Sequence, residues 1–431
     1  MKKCIGIRRE DKNIWERRVP LSPEHVRNLK SNFGIETILQ PFPKRAFSEL
    51  DYKAAGASIN EDVSECPVVF AVKEIPIDFL LENKTYVFFS HTIKGQEYNM
   101  PLLQKLIDLK CTLIDYECIK DNSGRRLVFF GVYAGIAGMI ETLHGMGIKY
   151  KNLGYDTPFL KVKQAYEYKD ISEAKNEIAA IGKEISEKGL PKELAPFTIG
   201  FTGYGNVSRG AQSIFDLLPH KEISVEELPN ITADNKTLYK VVFKEEDMFE
   251  PINDNDKFEL QDYFDHPEKY KSKFDLHLPH LDVIVNCIFW DYRYPRLVTK
   301  EYLTKNPDAK IKVIGDISCD IDGAIEFVTD VTTPDNPALT FNPQNCEVTG
   351  GYEGRGPSVI AIDNLPCELP VDSSNGFGEA LHPYVPAIVN MDLTKSFDEL
   401  EVPAEIKNAI IVYKGELTPN FEYLQENLNS Q

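Results

Sequence analysis

The stretch Pro196-Phe197-Thr198-Ile199-Gly200-Phe201-Thr202-Gly203-Tyr204-Gly205-Asn206-Val207-Ser208-Arg209-Gly210-Ala211 constrains the fold more than any other part of the chain. Mostly apolar, β-favouring residues run straight into Gly-x-Gly, and helix-like sequence follows to Leu218. A strand, a glycine turn and a helix N-terminus in that order make an anion site. The glycines admit close approach to the backbone, while unpaired N–H groups and the helix dipole face a pyrophosphate. Ser208 stands where the fingerprint has its third glycine, with Gly210 two residues later, so the stretch alone also suits a plain glycine turn. A second strand, Glu222 to Val225, ends in Glu226, where an acid can take a ribose hydroxyl. Together these features read as a dinucleotide site with Gly203, Gly205, Asn206, Val207, Ser208, Arg209 and Glu226 at the cofactor.

Upstream, residues 1–120 alternate strand-like and helix-like runs. Strands are expected at Cys4–Ile7, Glu36–Gln40, Val68–Val72, Tyr86–Phe89 and Thr112–Asp115. Helices are expected near 48–55, 78–82 and 97–109, and Ser22-Pro23 opens an earlier one as N-cap and first residue. Such alternation implies a parallel α/β sheet. From Phe129 to Gly145, small residues at four-residue spacing suit a buried helix packed against another backbone, and an amphipathic helix spans Glu173 to Lys188. An acidic, aromatic-rich segment at about 226–280 reads as an insertion. Strand-like sequence resumes at Leu281–Ile288 and Ile311–Ser318. Ligands sit beyond the carboxyl ends of parallel strands, which adds Cys287, Ile288, Asp316, Ile317 and Ser318 to the cofactor contacts. The last 70-odd residues, read as helices, can complete either domain. The expected architecture is α/β, with two Rossmann-like open parallel-sheet domains and an active-site cleft between them. Residues 1–140 and 350–431 form the discontinuous substrate domain, and 141–349 bind the dinucleotide.

A net charge of −19 argues against nucleic acid and anionic membrane as partners. No apolar run reaches the roughly 20 residues a bilayer requires. Strand-like sequence from Met1 leaves no room for a targeting peptide, so a cytoplasmic location is expected, with mitochondria left open. Eight singly scattered cysteines suggest neither a disulfide framework nor a metal site.

Several polar groups follow expected strands in the first domain: Glu16-Arg17-Arg18, Lys73-Glu74, His91 with Lys94 and Gln96, Glu117, and Arg125-Arg126. Singly, a Lys–Glu pair is a solvated salt bridge and a lone histidine a structural one. Their common place at strand ends brings them to one edge of a parallel sheet, where they can converge on a cleft. An arginine in so acidic a chain suits a carboxylate ligand.

Ile7-Arg8-Arg9-Glu10-Asp11 and Trp15–Pro23 resemble the opening of the lysine–ketoglutarate reductase half of bifunctional α-aminoadipic semialdehyde synthase. So do Tyr86–Lys94, Leu143–Gly147, Thr202–Gln212, Asp316–Asp320 and Ile362–Pro366. The likeness covers nearly the whole chain and extends to fungal lysine-forming saccharopine dehydrogenase and, more distantly, to the alanine dehydrogenase/transhydrogenase family. It implies that L-lysine, 2-oxoglutarate and a reduced nicotinamide cofactor give saccharopine, which a separate glutamate-forming saccharopine dehydrogenase could then take up. By the same resemblance Lys73 and His91 are the acid–base pair. Arg18, Gln96, Arg126 and Phe130 hold the amino-acid and keto-acid parts, Glu74 and Glu117 flank the pair, and Arg125 lies near the cofactor. Lys94 joins the substrate contacts from its place beside His91.

The residue types suit that chemistry. The ε-amine must be neutral to attack a ketone and the carbinolamine must lose water, so groups titrating near working pH help. His91 starts near ~6.5, whereas Lys73 starts near ~10.4 and needs burial or cations to lower it. Glu226 favours NAD(H), but the bifunctional relatives are NADPH users and Arg209 could neutralise a phosphate, so NADP(H) is expected over NAD(H). The rival readings are an alanine-dehydrogenase-like enzyme using ammonia and a non-catalytic sensor of dinucleotide or amino acid.

Overall fold

The computed structural model describes residues 3–429 and divides into two compact units, one made of residues up to Phe130 with Pro370 onward, the other of Gly131–Leu369. The division therefore falls at 130/131 and 369/370, with the expected limits of 140/141 and 349/350 both inside the second unit.

The first unit opens with β1 (Cys4–Ile7), β2 (Glu36–Leu39), β3 (Ser58–Ile59), β4 (Val68–Phe70), β5 (Thr85–Phe88) and β6 (Thr112–Asp115). All pair in parallel, in the order β6-β5-β4-β1-β2-β3. β1, β4, β5 and β6 are buried from end to end, as expected of strands covered on both faces. Helix α1 (Pro23–Phe33) follows β1; Ser22 precedes it, its backbone N–H donating to His25 Nδ1 at 3.1 Å.

The second unit begins with α2 (Gly131–Asn152), whose small residues do what their spacing suggests. A Cβ on Gly135 would overlap the Val207 carbonyl, and one on Gly210 would overlap that of Val132, so α2 and α3 (Asn206–Phe215) touch backbone to backbone. The sheet contains β7 (Phe197–Thr202), β8 (His220–Glu222) and β9 (Leu238–Phe243), while β10 (Phe249–Pro251) and β11 (Tyr270–Ser272) form a separate antiparallel ribbon. It continues through β12 (Val283–Asn286), β13 (Val313–Asp316), β14 (Ala338–Phe341), β15 (Val348–Gly350) and β16 (Ser358–Ile360), in the order β15-β14-β16-β13-β12-β7-β9-β8. The strands from β16 to β8 are parallel, whereas β14 and β15 are antiparallel.

One expectation fails here. The 226–280 segment is not wholly an insertion, because it supplies β9, which pairs with β7 along all six residues from Phe197↔Leu238 to Thr202↔Phe243. Its polar surroundings hid a strand that is buried at five of six positions. The expected second strand is reduced to the edge strand β8, paired to β9 and not to β7.

The C-terminal segment completes the first unit with α4 (Pro370–Leu381) and, unexpectedly, a strand pair. β17 (Ile410–Tyr413) adds antiparallel to β6, and β18 (Glu416–Leu417) turns back on it. Their apolar run Ile410-Ile411-Val412 is fully buried. No helix among the described residues is long and apolar enough to cross a membrane.

Candidate active site

In a parallel sheet all strands end on one edge, and in the first unit that edge is charged. β1 leads to Glu10, Glu16 and Arg18. Glu10 is buried, accepting the backbone N–H of Val72 at 2.6 Å and of Lys73 at 2.9 Å. Burial, then the charge of Glu16, push its carboxyl up to about 7 against those two N–H groups and Arg18. Glu16 and Arg18 form a fully buried two-pronged pair, Nε to Oε1 at 2.8 Å and Nη2 to Oε2 at 2.6 Å. The Arg18 guanidinium also lies 4.1 Å from the Phe130 ring centroid, and Phe130 stacks on Phe377 of α4 at 4.3 Å.

Lys73 and Glu74 follow β4. Burial lowers the Lys73 ammonium below its ordinary value, and Arg18 and Lys12 add to this while Glu16 and Glu74 oppose it. His91 follows β5 in the left-handed region, φ +53°, a conformation that few non-glycine residues adopt and that aims its ring. Its Nδ1 meets Glu74 Oε1 at 2.6 Å, and Lys12 holds the same carboxylate at 3.0 Å. Burial would raise Glu74, but the His91 hydrogen bond and charge, with a backbone N–H and Lys12, hold it down at about 2. Asp115, at the end of β6, braces the array by accepting the Ser90 backbone N–H at 2.8 Å, one residue before His91.

The structure thus gathers Lys73, Glu74, His91, Arg18 and Phe130. Glu117 sits after β6 and forms an ion pair with Arg126, which is half exposed. Arg125 is mostly exposed on its turn, bonded to Asp121 Oδ2 at 2.8 Å. Lys94 and Gln96 are exposed, and Gln96 Oε1 accepts from the Tyr98 hydroxyl.

The second unit's edge uses backbone and neutral groups. Gly203 turns the chain at φ +83°, and a Cβ there would press on Ile288. At Gly205, the N-cap of α3, a Cβ would meet nothing within 4 Å, so the backbone is open to a ligand there. Gly203, Tyr204 and Gly205 line a cavity of about 270 Å³ together with Cys287 and Ile288. Thr202 Oγ1 donates to Asn286 Oδ1 at 2.7 Å and Asn286 Nδ2 to Asp316 Oδ1 at 2.8 Å, tying β7, β12 and β13 together. The Ser318 hydroxyl donates to the Ile288 carbonyl. An open glycine backbone at the N-terminus of a ten-residue helix, above tied strand ends, fits a dinucleotide pyrophosphate.

Models of the alanine dehydrogenase/PNT family match residues 6–137 (N-terminal domain) and 252–420 (C-terminal domain). The chain belongs to this family. A solved L-alanine dehydrogenase shares its fold, with a TM-score of 0.63 at 18% identity over 99% of both chains. The chain is also 37% identical to the alpha-aminoadipic semialdehyde synthase of Arabidopsis thaliana over 441 residues, 97% of itself and 41% of that protein. It is 36% identical to the mitochondrial enzyme of that name from Bos taurus, over 99% of itself and 48% of that protein. The resemblance read from the motifs therefore holds across nearly the whole chain, which spans under half the length of these two relatives.

Within this family member, some expected contacts are relocated. Glu226 is exposed and lines a different cavity, with Lys221, Asn230 and Tyr239, because β8 is the edge strand and does not pair with β7. The Ser208 side chain is buried, receives the Gln212 amide at 2.9 Å and lies against Cys287. Ile317 packs where a Cβ on Gly138 would reach it, and so belongs to the core against α2. Arg209 is exposed and donates to Asn206 Oδ1; Val207 lends its carbonyl to the α2 contact. Sequence reasoning missed Glu10 and Lys12 as partners of the Lys73–Glu74 pair, although Arg-Arg-Glu-Asp just after a strand was the available signal. It also missed Phe377, which nothing local marks, and Glu245, which lines the cavity beside the glycine turn.

Proposed function

We propose that this chain condenses L-lysine with 2-oxoglutarate and reduces the resulting imine to saccharopine with a reduced nicotinamide dinucleotide. The observation that carries the reading is Lys73, desolvated among Arg18, Glu16 and Glu74, beside a histidine clamped by that same Glu74. An ammonium lowered by burial can give up its proton and take one from the attacking substrate amine. Glu74 accepts from Nδ1 of His91, which fixes the tautomer and leaves Nε2 for the carbinolamine hydroxyl. Lys73 and His91 together move the protons of addition and water loss. Arg126, half exposed on Glu117, can exchange that partner for a substrate carboxylate; Arg18, buried on Glu16, keeps its pair and braces Phe130. The open glycine turn and α3 N-terminus would hold the dinucleotide, which when bound supplies the hydride for the imine carbon. A separate glutamate-forming saccharopine dehydrogenase then takes the product.

The test is turnover of the purified chain with lysine, 2-oxoglutarate and each reduced nicotinamide. Loss of reduced-nicotinamide absorbance with saccharopine identified by mass spectrometry is expected. Turnover with ammonia in place of lysine would make it an alanine-dehydrogenase-like enzyme, and tight nucleotide binding without turnover would make it a sensor.

A further inference from the structure

In a dinucleotide-binding sheet the strand beside the glycine-turn strand ends at the adenosine ribose, and an acid there takes the ribose hydroxyls. That neighbour of β7 is β9, not β8. Thr202 pairs with Phe243 in register, and the Gly203 N–H donates to the Phe243 carbonyl at 3.0 Å, so β9 ends level with the turn. Two residues further on stands Glu245, which lines the same cavity as Gly203 and Gly205. Its Oε2 is buried without a hydrogen-bond partner, while the carboxylate as a whole neighbours the Tyr204 hydroxyl. Aromatic rings from the segments after β9 and after β12 line the rest of that cavity: Tyr263 lies 5.3 Å from Tyr294, and the Phe264 and Phe289 rings are exposed.

Resting on the dinucleotide reading above, we propose that Glu245 accepts the vicinal hydroxyls of the adenosine ribose beneath an aromatic-lined adenine slot, making this chain selective for NAD(H). A vicinal diol offers two donors to one carboxylate. A 2′-phosphate brings a charge of roughly −1.5 to −2 against that carboxylate in a partly desolvated cavity. Neither Lys244 nor Arg209 lines the cavity to offset it. This reverses the preference expected from the resemblance and replaces Glu226 in the role.

Equilibrium binding decides the matter, with NADH and NADPH titrated by fluorescence and ADP and 2′,5′-ADP by calorimetry, independent of turnover. The wild-type chain should bind NADH roughly 100-fold tighter than NADPH, and ADP tighter than 2′,5′-ADP, as expected for like charges a few ångströms apart at intermediate dielectric. Glu245→Gln should weaken NADH about tenfold and bring the two reduced nucleotides within a few-fold of each other. Glu226→Gln should leave the ratio unchanged. Equal or tighter NADPH binding by the wild type overturns the proposal even if Glu245→Gln fails to fold, as does a ratio that follows Glu226 instead. Failure of all four nucleotides to bind would instead overturn the underlying dinucleotide reading.

Discussion

At the C-terminal edge of the first sheet each of four neighbouring strands hands on to charge: Glu10 and the Glu16–Arg18 pair after β1, Lys73 and Glu74 after β4, His91 after β5, Glu117 after β6. At the same edge of the second sheet β7 hands on to glycine, and β12 and β13 to a neutral amide and a carboxyl that bond each other. Both edges gather the ends of parallel strands, but the strand orders and the electrostatics differ. Moving protons and holding carboxylates requires side chains that ionise near one another, at the cost of burying charge that must be paired. Holding a pyrophosphate requires fixed dipoles, which backbone N–H groups and a helix supply without ionising. Under the proposed function, one edge serves chemistry and the other grip.

If that division is right, substitutions on the two edges separate cleanly, and the largest effect falls on the first. Lys73→Met and His91→Asn should each lower kcat about 1,000-fold, within the usual range for a positioned acid or base, and Lys73→Met should also remove one limb of the pH–rate profile. NADH affinity, read by fluorescence, should not move. Gly203→Val should do the reverse, losing NADH binding because its φ of +83° and the nearby Ile288 both exclude a branched side chain. A Lys73 variant that lost nucleotide binding would erase the contrast.

The next effect is on stability. Glu16→Gln leaves Arg18 charged and fully buried beside a neutral amide, and should cost about 3–5 kcal/mol by urea denaturation. A loss under 1 kcal/mol would mean that Phe130 and other partners carry the guanidinium without Glu16.

The two edges also differ in how far the sequence revealed them. Five parallel strands of the first sheet and the polar residues at their ends were legible, because a buried parallel strand reads as an apolar run and its end as the next charged residue; the two-residue, little-buried edge strand β3 was not. The glycine turn was legible for the same reason. What escaped was order in space. β9 is a good strand inside acidic sequence, and without it the edge strand β8 took its place, carrying the ribose acid to Glu226. The ends of a chain are equally opaque: Ile410–Tyr413 reads as a strand only once β6 offers it an open side, and Phe377 meets Phe130 from far along the sequence. Arg18 and Arg126 were found as residues, but their pairing with Glu16 and Glu117 depends on side-chain geometry that spacing does not encode.

In the second unit α2 and α3 meet backbone to backbone, and this gives a smaller prediction. Gly210→Ala places a methyl group against the Val132 carbonyl and should cost about 1–3 kcal/mol, the usual penalty of overpacking. Thermal melts followed by circular dichroism should show the lower Tm, and NADH should recover part of it, since a ligand that binds only the folded state stabilises it. Unchanged melting would mean that the two helices slide apart at little cost.

The finest contrast lies in two buried carboxyls, one on each edge, both raised to about 7. Burial comes first for each, but Glu10 is raised next by Glu16, whereas Asp316 has only Asp320 beside it. A folded-state value above the unfolded one means that the native state holds the proton more tightly. The stability this contributes is full below about pH 4 and is lost as pH climbs through about 7. Glu10→Gln and Asp316→Asn cannot titrate, so each should gain on the wild type between pH 5 and pH 8, by about 2–3 kcal/mol in urea denaturation. In a Glu16→Gln background the Glu10 swing should shrink and the Asp316 swing should not. If both shrink, the first edge is not set apart by its charges.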